Sequence, residues 1–140
     1  MNLGPFLGVL VILAADGTRY GIAPDLKTYP QATAKQTLES LLKAVESKRV
    51  DYVVAHLADP AFVDDRIKRL YGGRFGEQVE DTRTRLDPLT IKKLQRFLKD
   101  GSWQEDGDRV TVQLKDESRR LYFKKDKGRW FVEHTSSPKG

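Results

Sequence analysis

GSWQEDGDRVTVQL, residues 101–114, is the stretch in which the chain changes its period. Before Gly101, apolar side chains recur every three or four positions; after it they recur every second one. Val110, Val112 and Leu114 alternate with Arg109, Thr111 and Gln113, the pattern of a strand with one face in a core and one in water. Asp106-Gly107 is a two-residue hairpin signal, because glycine adopts at little cost the positive φ such a turn needs. Working outward, 102–105 is a short strand holding Trp103, and 109–114 is the second. Leu121 and Phe123 share a face of a third strand, 119–125, with Tyr122 on the other. Trp130 and Val132 share a face of a fourth, 129–134. Residues 115–118 and 126–128 supply the turns between them. A sheet with one apolar face must bury it, and the cover this chain offers is its helical half.

That half begins at Thr33. Thr33 to Gln36 has the form of a capping box, in which hydroxyl and amide each satisfy an orphan backbone N–H. Leu38, Leu41, Leu42 and Val45 follow at helical spacing. Val50, Val53, Val54 and Leu57 form a second stripe; their β-branched side chains favour strand locally, but the i, i+3, i+4, i+7 spacing decides for helix. Asp59-Pro60 and Asp87-Pro88 each place a capping carboxylate before a proline at the first helical position, where its missing N–H costs nothing. The helix after Pro60 turns Phe62, Val63, Ile67, Leu70 and Tyr71 inward and ends at Gly72-Gly73. A more polar helix, 77–86, points Val79 and Leu86 in, and Ile91, Leu94, Phe97 and Leu98 stripe a last one closed by Gly101. The fold class is therefore α+β, with N-terminal helices packed on a curved antiparallel C-terminal sheet.

The 140 residues suit one domain, and 39% hydrophobic with 32% charged residues is soluble globular composition. The absence of cysteine excludes disulfides, thiolate metal sites and cysteine nucleophiles. The formal charge of +5 is spread thinly, with acids interleaved throughout. Its densest run, Lys124, Lys125, Lys127 and Arg129, is broken by Asp126 and Gly128, as in a solvated turn. A nucleic-acid surface would cluster its bases instead, so no nucleic-acid partner is expected.

Residues 6–15 read FLGVLVILAA, too short to span a bilayer but long enough for the apolar region of a signal peptide, with Ala14-Ala15 as the cleavage site. Residues 1–15 are expected to be a signal peptide, which makes the protein secreted or periplasmic if cleaved and cytoplasmic otherwise. The competing reading pairs a buried strand over residues 9–13 with residues 19–22. Residues 16–32, punctuated by Gly17, Gly21, Pro24 and Pro30, read as a linker or extended arm, and 135–140 as a flexible tail.

The short helix VDYVVAHL ending at Asp59-Pro60, followed by the closing meander with its Gly128-Arg129-Trp130-Phe131-Val132 ending, resembles the nuclear transport factor 2-like superfamily over residues 33–134. The resemblance implies a sheet curved into a cone around helices, often with a pocket, and looks closest to the compact exported branch. It implies ketosteroid isomerase-like and dehydratase-like enzymes among its members, beside binding and assembly modules and homodimers. The long helical stretch 60–100 departs from members that place an early strand there. Fold alone does not choose between them.

The residues argue for a non-enzymatic binding or assembly module, holding a small apolar ligand or a protein partner. Two histidines 78 positions apart and no HExxH-type pair give no metal set, and no cofactor signature is present. Gly72-Gly73-Arg74-Phe75-Gly76 lacks the phosphate-loop pattern and follows a helix. Phe62, Tyr71, Trp103, Phe123 and Trp130 are the aromatics available to line a pocket, though a core of this size uses the same side chains. The competing reading is a small-molecule isomerase or dehydratase with His56, Asp64 or Tyr52 as acid or base. Each has a plainer role: Asp64 lies in the first turns of a helix, where the macrodipole favours acids, and Tyr52 suits a rim. His56 falls off the apolar stripe and reads as an exposed side chain whose loss costs no more than about 0.5 kcal/mol. His134 reads as a strand-end histidine.

Overall fold

The computed structural model describes residues 17–133. The expected signal peptide over 1–15 with its competing strand, His134, and the tail 135–140 lie outside the described residues.

Helix α1 (Ala34–Glu46) starts where the capping pair placed it. Thr33 Oγ1 accepts from the Gln36 amide at 3.0 Å, and Gln36 Oε1 reaches back to the Ala32 N–H at 2.9 Å. The second stripe is helical in two parts, an α-turn α2 (Val50–Tyr52) and a π-turn (Val53–Leu57). Every residue from Tyr52 to Leu57 is buried. Helix α3 (Pro60–Tyr71) is capped by Asp59, whose carboxylate accepts from the Ala61 N–H at 3.2 Å, and ends at Gly72 in the left-handed conformation. We expect Asp59→Ala to cost about 0.5–2 kcal/mol, the range of a lost cap. A urea midpoint that does not move would show that Pro60 alone sets the start of α3. Helices α4 (Phe75–Arg85) and α5 (Pro88–Asp100) follow, the latter capped by Asp87 to the Thr90 N–H at 2.9 Å.

Gly101 closes α5 for a steric reason rather than a conformational one. Its φ is −73°, open to any residue, but a Cβ there would lie 2.4 Å from both the Phe97 carbonyl oxygen and Val112 Cγ2. The chain passes that closely because it turns straight from α5 into the sheet. Gly101→Ala should therefore cost about 1–3 kcal/mol, as overpacking does, with a proportionate fall in denaturant midpoint. An alanine variant as stable as the wild type would show that the crossing relaxes freely.

Strands β1 (Ser102–Asp106), β2 (Arg109–Gln113), β3 (Arg120–Asp126) and β4 (Arg129–Val132) form one antiparallel meander in chain order. The first hairpin loop is Gly107-Asp108, one residue past the expected pair, and Gly107 takes φ +65°. Register places Trp103, Val112 and Leu121 in one row and Val110, Phe123 and Val132 in the next. This face packs on Leu38 and Leu41 of α1 and Leu94 and Phe97 of α5, with Trp130 in the same core. A second, smaller core lies under α3 and α4: Val50, Val54, Val63, Ile67 and Val79. Phe131, on the opposite face of β4 from Trp130 and Val132, is also buried, with the Arg129 guanidinium 5.2 Å from its ring centre.

Residues 17–32 do not run free as a linker. Tyr20 and Gly21, both at positive φ, turn the chain between the bridged residues Arg19 and Ile22. Further on, Tyr29 and Gln31 are buried, and the Trp130 N–H donates to the Gln31 carbonyl at 3.0 Å, pairing the arm with the open edge of β4. Glycine and proline here shape a fixed path across the domain, and no periodic apolar pattern announces it. Among the described residues no helix is long and apolar enough to cross a membrane.

Candidate functional site

A helix that ends in a π-turn leaves its last carbonyls without intrahelical partners. Here the arm and β4 supply them. Arg19 Nε donates to the Ala55 carbonyl at 2.6 Å, and Gln31 Nε2 to those of His56 at 3.1 Å and Trp130 at 2.7 Å. Arg129 Nη2 donates to Gln31 Oε1 at 2.8 Å. Gln31 and Arg129 are thus the hub that sequence reasoning missed, since an isolated polar residue in a loop and one at a strand start carry no local signal.

The arm also overturns the reading of His56. Its face is off the apolar stripe, as its position implies, but the arm roofs that face and the ring is fully buried. Nε2 lies 2.7 Å from the Ile22 carbonyl, so Nε2 carries the proton; Nδ1 is bare and has no partner among the described residues. Burial lowers its pKa, the Ile22 bond works the other way, and the charges of Arg129 and Arg19 lower it further. Tyr52, expected on a rim, is buried between Tyr29 and His56, at ring separations of 4.4 and 4.9 Å. Its hydroxyl oxygen accepts from the Asp25 N–H at 2.8 Å, and burial raises its pKa.

Asp64 stands apart from this pair. Its carboxylate accepts from Arg19 at 2.7 and 3.0 Å and from the Tyr20 hydroxyl at 2.6 Å. Burial pushes its pKa up, but these bonds and the Arg19 charge outweigh it and hold the carboxyl below its ordinary value. Tyr20 is pushed up to about 12, by burial first and then by its bond to Asp64. Asp64 is the clasp of the arm, already committed to two partners.

The aromatic candidates separate as well. Phe123 is fully buried and Trp130 nearly so, while Trp103 stacks on Phe123 at 5.7 Å. All three belong to the main core against α1. Tyr71 is half-buried at the end of α3. Phe62 alone of the five lines the pocket between the π-turn, α3, α4 and β4, about 160 Å³ in volume.

The floor of this pocket is apolar: Val53, Val54, Ala58, Phe62, Val63 and Val132. Its charged side is already paired, Asp81 with Arg85 at 3.0 Å and Arg66 at 3.6 Å, and Glu133 with Arg109 at 2.6 Å. Gln78, only 6% exposed, bonds Thr82 Oγ1 at 2.9 Å through one end of its amide, and the other end has no partner among the described residues. A buried polar atom left unpaired costs about 1–3 kcal/mol. On a helix as polar as α4, Gln78 and Thr82 look like solvent-facing positions, which hid them in the sequence. Among the described residues no three His, Asp or Glu side chains gather as a metal site.

No family model, curated protein or solved structure matches the chain.

Proposed function

We propose that the chain is a non-enzymatic binding module of the nuclear transport factor 2-like type, which holds a small apolar ligand in the pocket between the π-turn, α3, α4 and β4. The observation that carries this reading is the unpartnered end of the Gln78 amide beside an apolar floor. Apolar side chains favour an apolar body by removing it from water. The open amide end favours one hydrogen-bonding group on that body. A hydroxyl both donates and accepts, so it satisfies either orientation of the amide. The volume of about 160 Å³ matches a ligand the size of one six-membered ring, as an engineered apolar cavity of about 150 Å³ takes benzene. The superfamily assignment rests on the resemblance of VDYVVAHL and of the closing meander.

NMR titration with benzene, cyclohexanol and phenol tests the reading. Saturable shifts are expected at Val54, Ala58, Val63 and Gln78. Phenol should bind tighter than benzene by about two- to tenfold, the worth of one hydrogen bond, and Gln78→Leu should erase that preference. Shifts confined to other surfaces, or a preference that survives Gln78→Leu, would overturn it. The isomerase or dehydratase reading has less in its favour: His56 has no exposed surface, and Asp64 is held by Arg19 and Tyr20.

A further inference from the structure

The geometry points to a second binding site, at Arg129, for a small monocarboxylate whose carboxylate pairs with the guanidinium and whose apolar tail lies on Leu26 and Pro30. The other half-buried arginines, Arg19, Arg49 and Arg66, each face an aspartate, at 2.7, 2.9 and 3.6 Å. Arg129 makes no ion pair with any described residue, although Asp126 is its register partner across the hairpin. Its Nη2 meets the Gln31 side chain at 2.8 Å and, at 3.5 Å, the His56 carbonyl, while Nε is shielded and has no partner among the described residues. The end of the π-turn and the Phe131 ring offer only partial negative charge, about half an elementary charge at most for a helix terminus. A cation withdrawn from water without a counter-charge is costly, and a ligand that supplies one recovers that cost. Burial accordingly lowers the Arg129 pKa, Tyr52 works against it, and Arg19 adds repulsion.

Arg129 lines a pocket of about 170 Å³ with Leu26, Pro30, Gln31, Ala32 and Gly128. Leu26 is 46% exposed, an apolar side chain with its outer surface uncovered. With Nη2 engaged and Nε shielded, Nη1 is the end of the guanidinium left to meet a carboxylate, and Leu26 with Pro30 suits a chain of a few carbons. None of these residues lines the Gln78 pocket, so the proposal does not depend on that one.

The test is an amide-resolved NMR titration of the full chain with butyrate at constant ionic strength, with chloride and neutral butyramide as controls. Saturable shifts are expected at Gln31, Ala32, Gly128 and Arg129 with butyrate and with neither control. Arg129→Gln should abolish them, and Arg129→Lys should weaken binding about tenfold, since an ammonium cannot hold Gln31 with one nitrogen and the ligand with another. Leu26→Ala, a change at an exposed side chain, should weaken butyrate about three- to tenfold and leave acetate unchanged. Equal shifts with butyramide or chloride, or butyrate binding retained in Arg129→Gln, would overturn the site. If Arg129→Gln does not fold, the Leu26→Ala comparison decides: an unchanged butyrate affinity refutes the proposal.

Discussion

Trp130→Ala is expected to lower the free energy of unfolding by about 3–5 kcal/mol, the range that large aromatic deletions from a core cost. The indole is 5% exposed and belongs to the core that α1 and α5 share with the sheet. The cost of such a deletion depends on how far the walls of the new cavity can close. Here they are pinned. The Trp130 carbonyl accepts from Gln31 Nε2 at 2.7 Å and Thr37 Oγ1 at 2.9 Å, and its N–H donates to the Gln31 carbonyl at 3.0 Å. These bonds run through the backbone and remain in the alanine variant, holding the arm, α1 and β4 at their present spacing. The cavity therefore stays open and the loss is close to full. Urea or guanidinium unfolding at unchanged m measures it. A change under about a quarter of the expected value would mean that α1 settles onto the sheet in spite of Thr37 and Gln31.

The meander was legible because its information is local. Alternation at Val110, Val112 and Leu114 and at Leu121 and Phe123 names the buried face, and the glycines at 107 and 128 name the turns. Asp59 and Asp87 were legible for the same reason, since a capping carboxylate and the proline after it act within one turn. What could not be read was set by contacts across long stretches of chain. The His56 ring meets Ile22, 34 positions away, and Gln31 meets Trp130, 99 positions away. The arm that makes both contacts has no periodicity, because it packs by single side chains rather than by a face. The Gln78 pocket was hidden in a related way. Its apolar floor comes from residues already assigned to cores, and its one telling atom sits on the helix with the weakest apolar stripe.

The second large effect belongs to His56, and it appears on acidification. Its folded-state pKa is depressed by burial and by the charges of Arg129 and Arg19, against the pull of the Ile22 carbonyl. In the unfolded chain the ring titrates near the ordinary value of about 6.5. Below that pH the unfolded state binds a proton that the folded state refuses, and stability rises with pH, and so falls on acidification, wherever the unfolded state holds more protons. The full contribution is therefore present above about pH 6.5 and is lost as pH drops from there toward the folded value, with a slope of up to about 1.4 kcal/mol per pH unit for one proton. The aspartates with lowered values, Asp25, Asp51, Asp64, Asp87 and Asp116, act in a separate window, since their loss begins only near the carboxylate reference of 3.8. Unfolding curves at pH 8, 7, 6 and 5 should show the decline, measured in a His134→Gln background so that the other histidine contributes nothing. His56→Gln should flatten it. At pH 8, where the wild-type ring is neutral in both states, His56→Ala should still cost about 2–4 kcal/mol, through the buried volume lost and the Ile22 carbonyl left unpaired. Ring NMR gives the direct check: an Nε2-bound proton protected from exchange, and no titration at pH 6.5. A ring that titrates there would mean that the arm lifts away in solution, and with it would return the case for His56 as a base open to substrate.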